Sequence, residues 1–105
     1  MNPCTLEISS AASADILEQA DWFASRKDRE LSQRWEEAVS ETVLSLFQFP
    51  ESGARCDLGP GALEAVRRLP VRNFPRHLIF YCVVDGKLKI LRILHGARRW
   101  RGFLP

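Results

Sequence analysis

The stretch that decides the fold is His77-Leu78-Ile79-Phe80-Tyr81-Cys82-Val83-Val84-Asp85-Gly86-Lys87-Leu88-Lys89-Ile90-Leu91-Arg92-Ile93-Leu94-His95. Its first eight residues are apolar almost throughout and rich in β-branched and aromatic side chains. That pattern predicts a central strand covered on much of both faces. Asp85-Gly86 is a two-residue hairpin signal of the type I′ kind, because both positions need φ > 0. Leu88 to His95 is then the returning strand. A standard two-residue loop fixes the register outward from the turn: Val84 faces Lys87, Val83 faces Leu88, Tyr81 faces Ile90, Phe80 faces Leu91, Ile79 faces Arg92 and Arg76 faces His95. One face should carry Ile79, Tyr81, Val83, Leu88, Ile90 and Leu94. The other should carry Leu78, Phe80, Leu91 and Ile93. Both are apolar near the middle, so the sequence does not say which one is covered by other elements.

Upstream, the period changes. Leu31, Trp35, Ala38, Val39, Thr42, Val43, Leu46 and Phe47 fall on one wide helical stripe, with Glu30, Glu36, Glu37 and Glu41 on other faces. Pro50 and Gly53 stop this helix. Before it, Ile16, Ala20 and Phe23 recur at helical spacing over about residues 11–25, with Ser10 or Ser13 as candidate caps and Asp15 complementing the helix dipole. Ser25 to Asp28 is short enough to turn between antiparallel helices. Thr5-Leu6-Glu7-Ile8 alternates like a short strand. Residues 50–61 read as a loop by composition, and Ala65 to Leu69 as a strand stopped by Pro70. The expectation is an α+β fold in the order βααβββ, with an N-terminal strand and an α-helical hairpin packed on a small antiparallel sheet, forming one domain over residues 1–105.

Composition narrows the function. The chain has 105 residues, 46% hydrophobic and 27% charged, a globular balance rather than a disordered one. No apolar run reaches the ~18 residues that cross a bilayer, and Met1-Asn2-Pro3-Cys4 lacks the basic and apolar regions of a secretory signal. A cytoplasmic protein is the expectation. Cys4, Cys56 and Cys82 are odd in number and widely spaced, which argues against a disulfide framework and against a CxxC metal site. No metal or cofactor is expected, and no phosphate-loop motif is present. The net charge of +2 hides a division. Residues 1–53 hold four basic and ten acidic side chains, residues 54–105 eleven basic and three acidic. Such asymmetry suits a basic surface meeting a polyanion or an acidic partner, or two halves of one surface that attract each other.

Several pieces together resemble the RelE/ParE superfamily of toxins from type II toxin–antitoxin systems. They are Ala12-x-x-Asp15-Ile16, Trp35 through Leu46 leading to Pro50-x-x-Gly53, Leu78-Ile79-Phe80-Tyr81, and Ile90-Leu91-Arg92-Ile93-Leu94-His95-Gly96-Ala97-Arg98. The similarity spans roughly residues 4–99 and is nearer the ParE branch. Arg99 departs from it, since many relatives carry an acid there. The resemblance implies a toxin that impairs DNA gyrase and replication, neutralised by a cognate antitoxin in a hetero-oligomer. RelE-like relatives instead cut messenger RNA on the ribosome without a metal. On that alternative His95 is the general acid, with Arg76, His77, Arg92 or Arg98 holding phosphate and Glu64 a remote base. Against it, Leu78 stands near where such a nuclease carries a strand Arg, and Gly96 where it has an aromatic. A degenerate toxin kept as a binding module is a third reading. Candidate partner-binding residues are Arg68, Arg76, Arg92, Arg98, Arg99, Trp22 and Trp100. The cations supply steering and the indoles supply apolar anchors or stacking.

Overall fold

The computed structural model describes residues 2–56 and 65–96. Its elements run β1 (Thr5–Ile8), α1 (Ser10–Ser25), α2 (Arg29–Gln48), β2 (Ala54–Arg55), β3 (Arg67–Val71), β4 (Phe74–Val84) and β5 (Lys87–His95). The five strands form one sheet in the order β1-β5-β4-β3-β2. β1 lies parallel to β5 and the other pairs are antiparallel. The sheet is therefore mixed. The α+β order expected from the sequence is present, with Ala54–Arg55 adding a short strand inside the stretch read as loop.

The two helices cover one face. Ala12, Ala20 and Phe23 of α1 and Trp35, Ala38, Val39, Val43 and Leu46 of α2 are buried with Ile79, Tyr81, Leu88, Ile90 and Ile93 of the sheet. Trp35 sits at the centre, fully buried, and its indole N–H donates to Ile16 O at 3.1 Å. Burying a side chain of that size stabilises the fold by roughly 3 kcal/mol, provided the N–H finds a partner, as it does. On the opposite face Phe80, Cys82 and Leu94 pack with Cys56 and Val66. Cys56 and Cys82 thus act as small apolar residues, and burial pushes the Cys82 thiol up.

The helix ends are specified locally. Asp28 accepts from Leu31 N at 2.9 Å and opens α2. Lys27 just before it has φ 63° and completes the interhelical turn. Ser9 caps α1, not Ser10 or Ser13: its hydroxyl accepts from Ala12 N at 3.0 Å and donates to Leu91 O at 2.7 Å. The cap must bond β5 as well as the helix, and Ser9 alone follows β1 closely enough. Asp15 lies beyond the first turn. Its carboxylate turns to the sheet instead of serving the dipole.

Pro70 does not stop β3. It lies inside the strand, opposite Leu78 and beside a register shift. Proline lacks an N–H, and a bulge tolerates that loss. The turn at Asp85 (φ 52°) and Gly86 (φ 74°) has both residues left-handed, as the Asp-Gly pair requires. The expected register holds from this turn to Tyr81↔Ile90 and then fails. Phe80 pairs with Arg92, Ile79 with Ile93, Leu78 with Leu94 and His77 with His95. Leu91 is the extra residue of a β-bulge. The physical reason is visible in the helix-covered face. Unbroken alternation would have set Arg92 among Ile79, Tyr81 and Ile90. The bulge removes the guanidinium from that face and puts Ile93 there, while Leu94 moves to the opposite cluster.

Candidate functional site

Beyond the bulge, α1 and the ends of β4 and β5 enclose an open groove of about 750 Å³. Trp22 and Phe23 form its helical wall, Phe74 and Pro75 its floor, and Arg76, His77 and His95 its strand side. Trp22 is 50% exposed. The Arg26 guanidinium lies 4.3 Å from the Trp22 ring centroid, a cation–π contact that holds the indole at the rim. Phe23, Trp35 and Phe74 meet edge-on beneath it. The groove is therefore an apolar slot with a polar end.

Asp15 builds that end. β1 pairs with β5 only as far as Ile8↔Ile90, so among the described residues the next stretch of that β5 edge has no strand neighbour. Side chains take over. Ser9 bonds Leu91 O, and Asp15 Oδ2 accepts from Ile93 N at 2.9 Å. The same carboxylate accepts from Arg92 Nε and Nη2, both at 2.8 Å. The two side chains are 10% and 20% exposed respectively. Hydrogen bonding to Asp15 holds the Arg92 guanidinium still more firmly protonated, against the opposing effect of burial. A fork-on-carboxylate pair of this kind is strong and directional.

The two histidines of the chain stand side by side. His77 and His95 are directly opposed across β4 and β5, with ring centroids 5.2 Å apart. The His77 ring packs on Trp35 at 4.8 Å, and its Nε2 is 3.2 Å from Gln19 Oε1. Burial lowers the His77 pKa first, and the neighbouring His95 lowers it further.

The candidates from the sequence fall in three places. Trp22, Arg76 and His95 meet in the groove, with His77 among them. Arg92 stands beside it, committed to Asp15. Arg68 lies elsewhere: it pairs with Phe80 across β3 and β4, and its guanidinium donates to Arg55 O at 3.1 Å. Arg98, Arg99 and Trp100, like Glu64, lie outside the described residues. Sequence reasoning missed Asp15 and Gln19 as site residues. Asp15 and Arg92 are 77 positions apart. The one available signal was the misfit of Arg92 in an alternating strand, which demands a buried acid or a bulge; the structure has both.

The fold resembles a solved structure described as the chromosomal ParDE TA system from P. aeruginosa. The TM-score is 0.69 at 23% identity, covering 87% of this chain and 94% of that one. No curated protein matches the chain. Among the described residues no helix is long and apolar enough to cross a membrane. The family model of the ParE toxin of type II toxin–antitoxin system, parDE, matches residues 6–100. With nearly the whole described fold inside that match, the chain belongs to the ParE toxin family and is the toxin component of a type II system, the counterpart of a cognate antitoxin.

Proposed function

We propose that the protein acts in the cytoplasm by protein–protein contact on DNA gyrase. The antitoxin silences it by seating apolar side chains in the groove beside α1. The observation that carries this reading is the Arg92–Asp15 pair. A ribonuclease built around His95 needs cations beside it to hold a phosphate and absorb developing charge. Arg92, the cation nearest in sequence among the described residues, already has its fork filled by a carboxylate. Of the other described candidates, Arg68 lies away from the groove, which leaves Arg76 as the one of these cations that lines it. The groove offers apolar walls with a polar end, which suits a helix or an extended segment with bulky anchors. Trp22 and Arg76 are its proposed antitoxin contacts. Arg92, spent on Asp15, is no longer a proposed contact; the proposed contacts of Arg68, Arg98, Arg99 and Trp100 are with the target or with flanking antitoxin residues.

The test is a supercoiling assay with purified toxin and gyrase. The expected result is loss of supercoiling that a stoichiometric amount of antitoxin restores. Undisturbed supercoiling at large toxin excess, together with ribosome-dependent RNA cleavage, contradicts the proposal and favours the nuclease alternative. A product harmless to cells when expressed without its antitoxin contradicts both and leaves a degenerate binding module.

A further inference from the structure

The bulge at Leu91 decides which side chain stands opposite His95. With the register carried unbroken from the turn it would be Arg76; with the bulge it is His77. We propose that His77 and His95 form a two-histidine binding site for a borderline divalent transition-metal ion such as Ni²⁺, Cu²⁺ or Zn²⁺.

Three observations carry this. First, directly opposed residues of an antiparallel pair hold their Cβ atoms about 5 Å apart. That separation lets two imidazoles bite one ion whose bonds to nitrogen are about 2.1 Å long. The rings are already in contact, 5.2 Å between centroids at 81°. Second, His77 is held as metal-binding imidazoles are held. His77 Nε2 lies 3.2 Å from Gln19 Oε1, and in the tautomer that donates to that oxygen the lone pair stands on Nδ1. An outer hydrogen bond of this kind fixes tautomer and orientation. Third, Glu18 lines the same groove, so its carboxylate partly offsets the charge of Arg76, while the Asp15 carboxylate is already taken up by Arg92. Imidazole nitrogen suits these ions better than it suits Mg²⁺ or Ca²⁺.

Among the described residues no group of three or more His, Cys, Asp or Glu side chains has ligand geometry. The site is therefore open. The ion keeps water in its remaining positions and exchanges readily, unlike a closed structural zinc centre. Its effect is mechanical: it ties β4 to β5 at their open end and occupies the polar end of the groove.

The experiment uses the untagged full chain carrying Cys4→Ser, which removes the exposed thiol. Titration with Ni²⁺ by calorimetry should give one ion per chain. Affinity should fall about tenfold or more in His77→Asn and in His95→Asn, each compared at unchanged circular dichroism. Zn²⁺ added to the chain with both histidines intact should shift both imidazole NMR signals together. Absence of saturable binding, undiminished affinity in either folded variant, or movement of one imidazole alone overturns the proposal. The NMR arm needs neither histidine variant, so a variant that fails to fold does not shelter the proposal.

Discussion

The β4–β5 hairpin consists of two halves that hold themselves together differently. From the turn to Tyr81↔Ile90, the register follows from Asp85-Gly86 and from alternation. Cross-strand apolar pairs such as Val83↔Leu88 stabilise it. Beyond Leu91, β5 has lost β1 as a neighbour. Its edge is completed by Asp15, its charge by the Arg92–Asp15 pair and its end by two histidines. The near half is scaffold and the far half is the groove. Polar side chains from a distant helix, not backbone ladders, shape the functional end, because those side chains allow a strand to leave regular alternation without stranding an N–H or a charge.

The largest expected effect comes from breaking the far half alone. Asp15→Ala removes the carboxylate that both the largely buried Arg92 guanidinium and the Ile93 N–H bond. It should cost about 3 kcal/mol in denaturant unfolding. Hydrogen exchange should quicken at Ile93 while Val83 and Leu88 stay slow; uniform loss of protection would mean the halves are not distinct.

Tyr81, at the boundary, ties the near half to the chain after α2. Its hydroxyl donates to Pro50 O and accepts from Gly53 N, both at 2.9 Å. A Cβ on Gly53 would lie 2.6 Å from that hydroxyl and 2.8 Å from Arg68 O. Gly53→Ala should therefore cost about 2 kcal/mol. A melting temperature equal to that of the parent would show that the connection yields freely. Gly86→Ala should cost only about 1 kcal/mol. Space there is open, and the strain comes from φ +74° alone.

The smallest effect is a pH dependence confined to the far half. His77 has its pKa lowered from 6.5 by burial and then by His95. Between that lowered value and 6.5 the unfolded chain binds more protons than the folded one, so stability rises with pH across this window. His77 should contribute constant stability above pH 6.5 and lose it as acid carries the folded protein through its lowered pKa. Melting temperature measured from pH 5 to 8 should show this decline, flattened in His77→Asn. An unchanged acid limb in that variant would assign the decline to other groups.

The same division explains what was legible in the sequence. Helical spacing from Leu31 to Phe47 marked α2, and Asp-Gly marked the hairpin, because both are local signals. The groove was only half legible. Trp22, Arg76 and His95 stood out by type, and the expected register already set Arg76 against His95, but the pairing of His77 with His95 depended on the bulge at Leu91. Alternation from Ile90 put Arg92 on the face with Ile79 and Tyr81, but with the covered face left open the sequence reading drew no bulge from it. Finding the bulge required knowing that Asp15 waits on α1, and no spacing rule links residues so far apart. Arg68 showed the opposite failure: it belongs to the basic half of the sequence but not to the groove. Ser9 was missed as the cap because its second bond, to Leu91 O, exists only once β5 lies beside it.

The central functional claim is inhibition of gyrase by contact rather than RNA cleavage by His95. The most direct measurement is gyrase supercoiling with purified wild-type toxin and with His95→Ala, alongside a ribosome-dependent cleavage assay on the same samples. Both proteins should block supercoiling, and neither should cut RNA. Intact supercoiling with RNA cleavage that vanishes in His95→Ala would contradict that claim.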